Sequence, residues 1–177
     1  MVIAKTNSVH TFLADQFKDR KVKKKYIGLT WGLWDNPNGE INESLLRDKK
    51  DPTKYSINHD GKSSITKYKI EKIFRHSSLV SFFPITGRTH QIRVHASFCG
   101  HPIFGDEKYG GGISRSKGFL PEFKSHYKKM VQKFNRHALH AEKLELIHPT
   151  SKQIVKFSTP LPKEYLDLVK SINLLNE

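Results

Sequence analysis

Residues 79–102, LVSFFPITGRTHQIRVHASFCGHP, constrain the fold of this chain more than any other stretch. LVSFFPI reads as a buried strand, being a short apolar run rich in aromatic residues. Thr86 and Gly87 supply a turn, and the pattern from 90 to 98 predicts a helix with Ile92, Ala96 and Cys99 on its apolar stripe, closed by Gly100 and Pro102. A strand that turns directly into an amphipathic helix brings helix and sheet into one architecture. The nine residues from 87 to 95 also hold two arginines, two histidines and a glutamine. Such groups are costly to bury unless they find partners, so this stretch is either a solvated helix start or the wall of a polar, anion-binding site. His90 and His95 lie five apart, about 140° around a helix, and do not readily grip one metal. Arg88 and Arg93 fall near a helix N-terminus, where free amides and the dipole favour anions. On spacing alone, a solvated helix arginine is the somewhat better reading of Arg93.

The rest of the chain alternates in the same way. MVIAKT reads as a short strand, and Val9, Phe12, Leu13, Gln16 and Phe17 repeat at helical spacing behind a Ser8 cap to about Lys18. Residues 19–34 pass from a basic run into strand residues; NPNGEI reads as a turn, and residues 47–62 as a polar loop leading to a short strand. Asp60-Gly61 marks a hairpin before the strand SSITKYKIEKIF, with another turn at residues 76–78. A helix is expected over 121–134. Two strands, HALHAEKLELIHP and KQIVKFSTP, then precede a terminal amphipathic helix from about Lys163. The expectation is one α+β domain with a mixed, mainly antiparallel sheet and flanking helices, without internal repeat or linker.

Charge narrows the function classes. The chain has 177 residues, with 31 lysines and arginines against 17 acidic residues, a surplus of 14. That surplus suggests a polyanionic partner, most often nucleic acid, with a basic membrane-surface protein as the competing reading. No run of about 18 apolar residues is present to span a bilayer, and the first residues turn polar too quickly for a signal peptide, so the expected location is cytoplasmic. Cys99 is the one cysteine. It excludes an internal disulfide or a multi-cysteine zinc site and is expected to serve as a small buried apolar residue.

PITGRTHQIRVHASFCGHPIFGDEKYGG, together with KKKYIGLTWG, GKSSITKY and LHAEKLELIHP in order and approximate spacing, resembles the RluA/RluD family of RNA pseudouridine synthases over essentially the whole chain. The resemblance implies a reaction that breaks the glycosidic bond of a uridine, turns the uracil and rejoins it through carbon, with no cofactor or metal. The closest flavour is the branch acting on large-subunit ribosomal RNA, with transfer RNA as another substrate class, and a monomer is expected. The target base must leave its stack, which calls for a basic cradle and a base pocket. By the family's motifs, Tyr26 matches the tyrosine that packs on the base, Arg93 the arginine that pairs with the catalytic aspartate, and Leu139 an apolar residue lining the base pocket. Without the motif, Tyr26 would be an ordinary strand aromatic, and Leu139 is expected to be core as well as pocket wall. Arg88 and the run Lys23, Lys24 and Lys25 are expected to follow phosphates beside the cleft.

The family carries its catalytic aspartate in a segment resembling HRLDxxTSG, just before the strand that here reads MVIAKT. No RLD occurs in this chain, and Asp15 and Asp19 stand in no matching context. The expectation is a catalytic domain, residues 1–177, lacking its N-terminal part and unable as given to form pseudouridine, with a non-catalytic RNA-binding fragment or paralogue as the alternative and a structural ribosome-associated protein as a third. An Arg93 deprived of its aspartate should either be more exposed or recruit another carboxylate, Asp106 being nearest in sequence.

Overall fold

The computed structural model describes residues 2–176. Its central sheet has six strands, all described ladders antiparallel, in the order β2 (Asn38–Asn42), β5 (Ile65–Ile73), β6 (Ser77–Pro84), β1 (Lys23–Trp31), β7 (Leu139–Ile147) and β8 (Ile154–Ser158). A two-stranded sheet, β3 (Leu45–Arg47) with β4 (Tyr55–Ile57), stands apart. The helices are α1 (Asn7–Lys18), α2 (Gln91–Phe98), α3 (Pro121–Phe134) and α4 (Lys163–Asn173). No helix among the described residues is long and apolar enough to cross a membrane.

The core gathers where the inner strands cross under the helices. Leu29, Trp31, Val80, Phe82, Ile103 and Phe104 are buried together, with Tyr127 of α3 and Tyr165 of α4. Each such large side chain contributes about 1.5–3 kcal/mol by leaving water. Burial pushes the Tyr165 phenol strongly upward, and its hydroxyl donates to the Ala138 carbonyl, 3.0 Å away, tying α4 to the start of β7. Gln16 fastens α1 as a backbone unit would. Its amide donates to Ile147 O (2.9 Å) and its oxygen accepts from Ile147 N (2.7 Å).

Five local expectations change. Residues 2–6 lie outside any strand, and Met1 is outside the described residues; Thr6, rather than Ser8, caps α1, accepting from Val9 N. Ala4 packs against the buried cluster of Leu13, Val22 and Leu146 instead of joining a ladder. Part of the NPNGEI turn is strand β2, because five residues with one apolar member, Ile41, can pair with the free edge of β5. Asp60-Gly61 does form a turn, closed by Gly61 N to Asn58 O, yet β4 and β5 on either side of it belong to different sheets. The sequence turn placed at residues 76–78 moves back, since β6 already begins at Ser77.

Cys99 is partly buried against the core, and desolvation raises its thiol pKa. The position of β1 at the centre of the sheet sets the geometry around Tyr26. It holds Tyr26 between Phe82 of β6 and Ala141 of β7, with a register shift against β7 between Lys25 and Tyr26.

Candidate active site

A cleft of about 390 Å³ opens where the N-terminal half of β1, the start of β7 and the N-terminus of α2 meet. Alternation along β1 turns Lys24 and Tyr26 toward it, while His137 and Leu139, also two apart, approach from the chain entering β7. Arg88, His90, Gln91, Ile92 and Arg93 form the facing wall. Tyr26, Arg93, Arg88, Leu139 and Lys24 are therefore brought together. Lys23 and Lys25 are not among the lining residues; each pairs with an acid of β7, Lys23 with Glu145 and Lys25 with Glu142, both at 2.8 Å.

The polar groups of residues 87–95 divide by direction. Gln91 points inward and is buried: its oxygen accepts from Thr86 Oγ1 (2.6 Å) and Arg88 N (3.0 Å), and its nitrogen donates to Ile65 O and Thr66 Oγ1, both at 2.9 Å. His95 is wholly buried between Thr66 Oγ1 and Glu43 O, and desolvation lowers its pKa. These two side chains fasten α2 to β5 and to the strand-poor segment before β3. Arg93 makes a forked pair with Asp106, Nε to Oδ2 at 2.6 Å and Nη2 to Oδ1 at 2.7 Å, and lies 4.8 Å from the centre of the Tyr109 ring. The Arg93 side chain is 14% exposed and that of Asp106 1%. Such a charge-assisted fork fixes the guanidinium in one plane, and the hydrogen bond to Asp106 raises the Arg93 pKa further above its ordinary value.

The remaining wall residues are set by unusual backbone. His90 precedes α2 in the left-handed region, φ 56° and ψ 12°, a conformation costing a non-glycine residue about 1–2 kcal/mol. The contact that holds it there is Nδ1 to the Tyr109 hydroxyl, 2.8 Å. Since Tyr55 N already donates to that hydroxyl (3.0 Å), the arrangement that satisfies every group has the phenol donating to Nδ1 and leaves the other ring nitrogen protonated. Gly105, φ 75°, lets the chain before Asp106 pass against Arg136, whose carbonyl a Cβ there would strike.

The cleft is cationic and partly apolar. Burial lowers the pKa of both His90 and His137, and the charge of Arg93 adds to it, so both imidazoles are neutral near pH 7. Desolvation also lowers the Lys24 ammonium, whose Nζ donates to Thr86 O (3.1 Å), and raises the Tyr26 phenol. An aromatic face, a leucine, neutral imidazoles and flanking cations can together hold a flat uncharged ring that carries phosphate on either side. Among the described residues no acid lines this cleft, and no three His, Cys, Asp or Glu side chains gather as metal ligands would. Asp106 stands just behind the wall with both oxygens on Arg93.

The family model for RNA pseudouridylate synthase matches residues 1–98. The chain belongs to the RNA pseudouridylate synthase family. It is 37% identical over 169 residues to the ribosomal large subunit pseudouridine synthase D of Blochmanniella floridana, covering 96% of this chain and 52% of that protein. The synthase D of Salmonella typhimurium strain LT2 is 36% identical over 172 residues, covering 97% of this chain and 51% of the relative. The chain thus spans about half the length of the curated relatives it matches. Human RNA pseudouridylate synthase domain containing 1 superposes with a TM-score of 0.69 at 28% identity, over 90% of this chain and 62% of that one.

Sequence reasoning placed His90 in the helix start, read Tyr109 only as part of a turn shaping the cleft rim, and gave no role to His137. The i, i+2 relation of His137 to Leu139 was a usable signal. The hydrogen bonds of Tyr109 to His90 and Tyr55 had none, because they depend on how the 3₁₀ turn Glu107–Tyr109 meets β4.

Proposed function

We propose that this chain supplies the base-holding and RNA-holding part of a pseudouridine synthase active site, acting on structured RNA, with large-subunit ribosomal RNA as the substrate. The observation that carries the reading is the convergence of Tyr26, Arg93, Leu139, Lys24 and Arg88 on one cleft from three separate elements. A uridine flipped from its stack would lie with its ring on Tyr26 and Leu139, its flanking phosphates toward Lys24 and Arg88. In the cleft, neutral His137 can give and accept one hydrogen bond along the edge of the base, while His90, whose Nδ1 is taken by Tyr109, can give one from its other ring nitrogen. Arg93 holds positive charge beside the reacting sugar without itself moving a proton. The whole of 1–177 acts as one domain in this reading, monomeric and cytoplasmic, needing no cofactor.

A second reading is favoured by the acid-free cleft lining: binding without turnover. The isomerisation calls for a carboxylate at the glycosidic carbon, and the one behind the wall is engaged by Arg93. The test has two arms, residues 1–177 alone and the same residues joined to the aspartate-bearing upstream segment of a relative, each incubated with unmodified ribosomal and transfer RNA and assayed for pseudouridine by mass spectrometry. The expected result is RNA binding by both and pseudouridine from the joined protein alone. Multiple turnovers by residues 1–177 alone would refute the requirement for a further carboxylate, and a joined protein that binds yet forms none would refute the enzymatic reading.

A further inference from the structure

The segment from 113 to 137 carries seven lysines and arginines and one acid, Glu122, and has no part in the cleft until its last residue, His137. Helix α3 occupies most of it, and its two faces are sharply different. Phe123, Tyr127, Met130, Val131 and Phe134 pack on the core, Tyr127 being fully buried. Rings hold that face in place: Tyr127 lies 4.9 Å from Trp31 and 5.8 Å from Phe119, and Phe119 is stacked on His76 at 4.1 Å. The opposite face presents Lys124, Lys128, Lys129 and Lys133, all exposed, and none of these forms an ion pair among the described residues.

Two rows result, Lys124 with Lys128 and Lys129 with Lys133. Within each row the residues are four apart, about 6 Å along the axis, a spacing comparable to that of neighbouring phosphates on one strand. The helix also leads into the cleft: after the left-handed Asn135 the chain needs Arg136 alone before His137 enters the cleft wall. A rigid cationic helix whose C-cap, Asn135, lies two residues before the cleft residue His137 fits a polyanion continuous with whatever the cleft holds. An anionic membrane would satisfy the charge but not this continuity.

We infer that the exposed face of α3 is a second phosphate-binding surface, tracking the RNA backbone beyond the nucleotide held in the cleft. The inference rests on the cleft being an RNA site, and extends that site along the strand.

The test is binding of the full chain to a fluorescent, unmodified RNA hairpin with single-stranded flanks, across a salt series. The probe protein is the quadruple variant Lys124→Gln, Lys128→Gln, Lys129→Gln, Lys133→Gln. Its control, Lys5→Gln, Lys49→Gln, Lys50→Gln, Lys69→Gln, removes the same charge from exposed lysines elsewhere. Each lost phosphate contact reduces the slope of log K against log salt by about 0.7–0.9, so four contacts predict a reduction of about 3 in the α3 variant and under 1 in the control. Equal slopes in the two variants would overturn the inference, as would failure of the unaltered chain to bind the hairpin. Tighter association with phosphatidylserine vesicles than with RNA, lost in the α3 variant, would overturn it in favour of a membrane surface. A joined protein that keeps the α3-dependent slope while forming no pseudouridine would refute the enzymatic reading alone and leave this inference standing.

Discussion

Helices α2 and α3 are both rich in polar side chains, and they use them in opposite ways. On α2 the polar groups that could cause trouble are engaged: Gln91 makes four hydrogen bonds, His95 two, and Arg93 a forked ion pair. On α3 the four lysines of the exposed face engage nothing within the described residues. The polarity of α2 sets geometry, because a buried donor or acceptor left alone is destabilising and so fixes where its partner must be. That of α3 costs the fold almost nothing and is left available to solvent and ligand. On the proposed reading, the RNA-facing surface of this chain has a rigid part, built by groups that satisfy one another, and a charged part, built by lysines that face solvent.

Substitutions should separate the two helices most at Asp106. Asp106→Asn leaves Arg93 charged, largely enclosed and without its counter-ion; removing one member of a buried pair costs about 3–5 kcal/mol. Urea unfolding should show a loss of about that size, and replacing both residues, Arg93→Met with Asp106→Leu, should recover much of it. A single variant within 1 kcal/mol of the unaltered chain would mean that the pair is not fixing the wall. Gln91→Leu comes next. It keeps the volume but leaves the buried Thr86 hydroxyl proton and Arg88 N without their acceptor, and about 2 kcal/mol should be lost in the same measurement.

The third contrast is one of pH. Burial holds His95 below the ordinary histidine value of about 6.5, so the folded protein keeps the ring neutral where the unfolded chain takes up a proton. The stability it contributes is complete above the unfolded pKa and falls as pH drops through about 6.5 toward the folded pKa, by at most about 1.4 kcal/mol per pH unit. His76, His90, His101 and His137 are lowered in the same direction. The check is therefore a difference: stability from pH 7.5 to 5 should fall less steeply in His95→Gln than in the unaltered chain, and parallel curves would exclude the assignment.

These residues also show what the sequence could and could not disclose. Helices α3 and α4 were legible because their apolar stripes, and for α3 the proline at its first position, are local signals. Strand β2 was not, since one isoleucine and a glycine acquire their conformation only from the free edge of β5. Tyr26, Arg93 and Leu139 were placed in one site through motif resemblance, and Asp106 as a partner for Arg93 through the need of a buried guanidinium for a carboxylate. The inward roles of Gln91 and His95 stayed hidden because their partners Ile65, Thr66 and Glu43 lie 25 to 52 positions away. The separation of Lys24 from Lys23 and Lys25 is strand alternation, readable only once the strand and its acidic neighbour β7 are known.

The smallest expected effect is the one whose sign is most informative. Lys124 and Lys128 are like charges four apart on a helix, a pair that destabilises by a few tenths of a kcal/mol. Lys124 also sits close to the start of α3, where the dipole disfavours a cation. Both effects vanish in the double variant Lys124→Gln, Lys128→Gln, and glutamine has nearly the helix propensity of lysine. The variant should therefore be more stable than the unaltered chain by about 0.5 kcal/mol at low salt, with the gain shrinking as ions screen the repulsion. RNA affinity should move the other way, weakened by the loss of two phosphate contacts. Asp106→Asn and Gln91→Leu lower stability, whereas this variant raises it while lowering affinity. Thermal denaturation in parallel with hairpin binding measures both. A variant that lost stability would show that the lysine face of α3 is already engaged within the fold, and the contrast between the helices would fail.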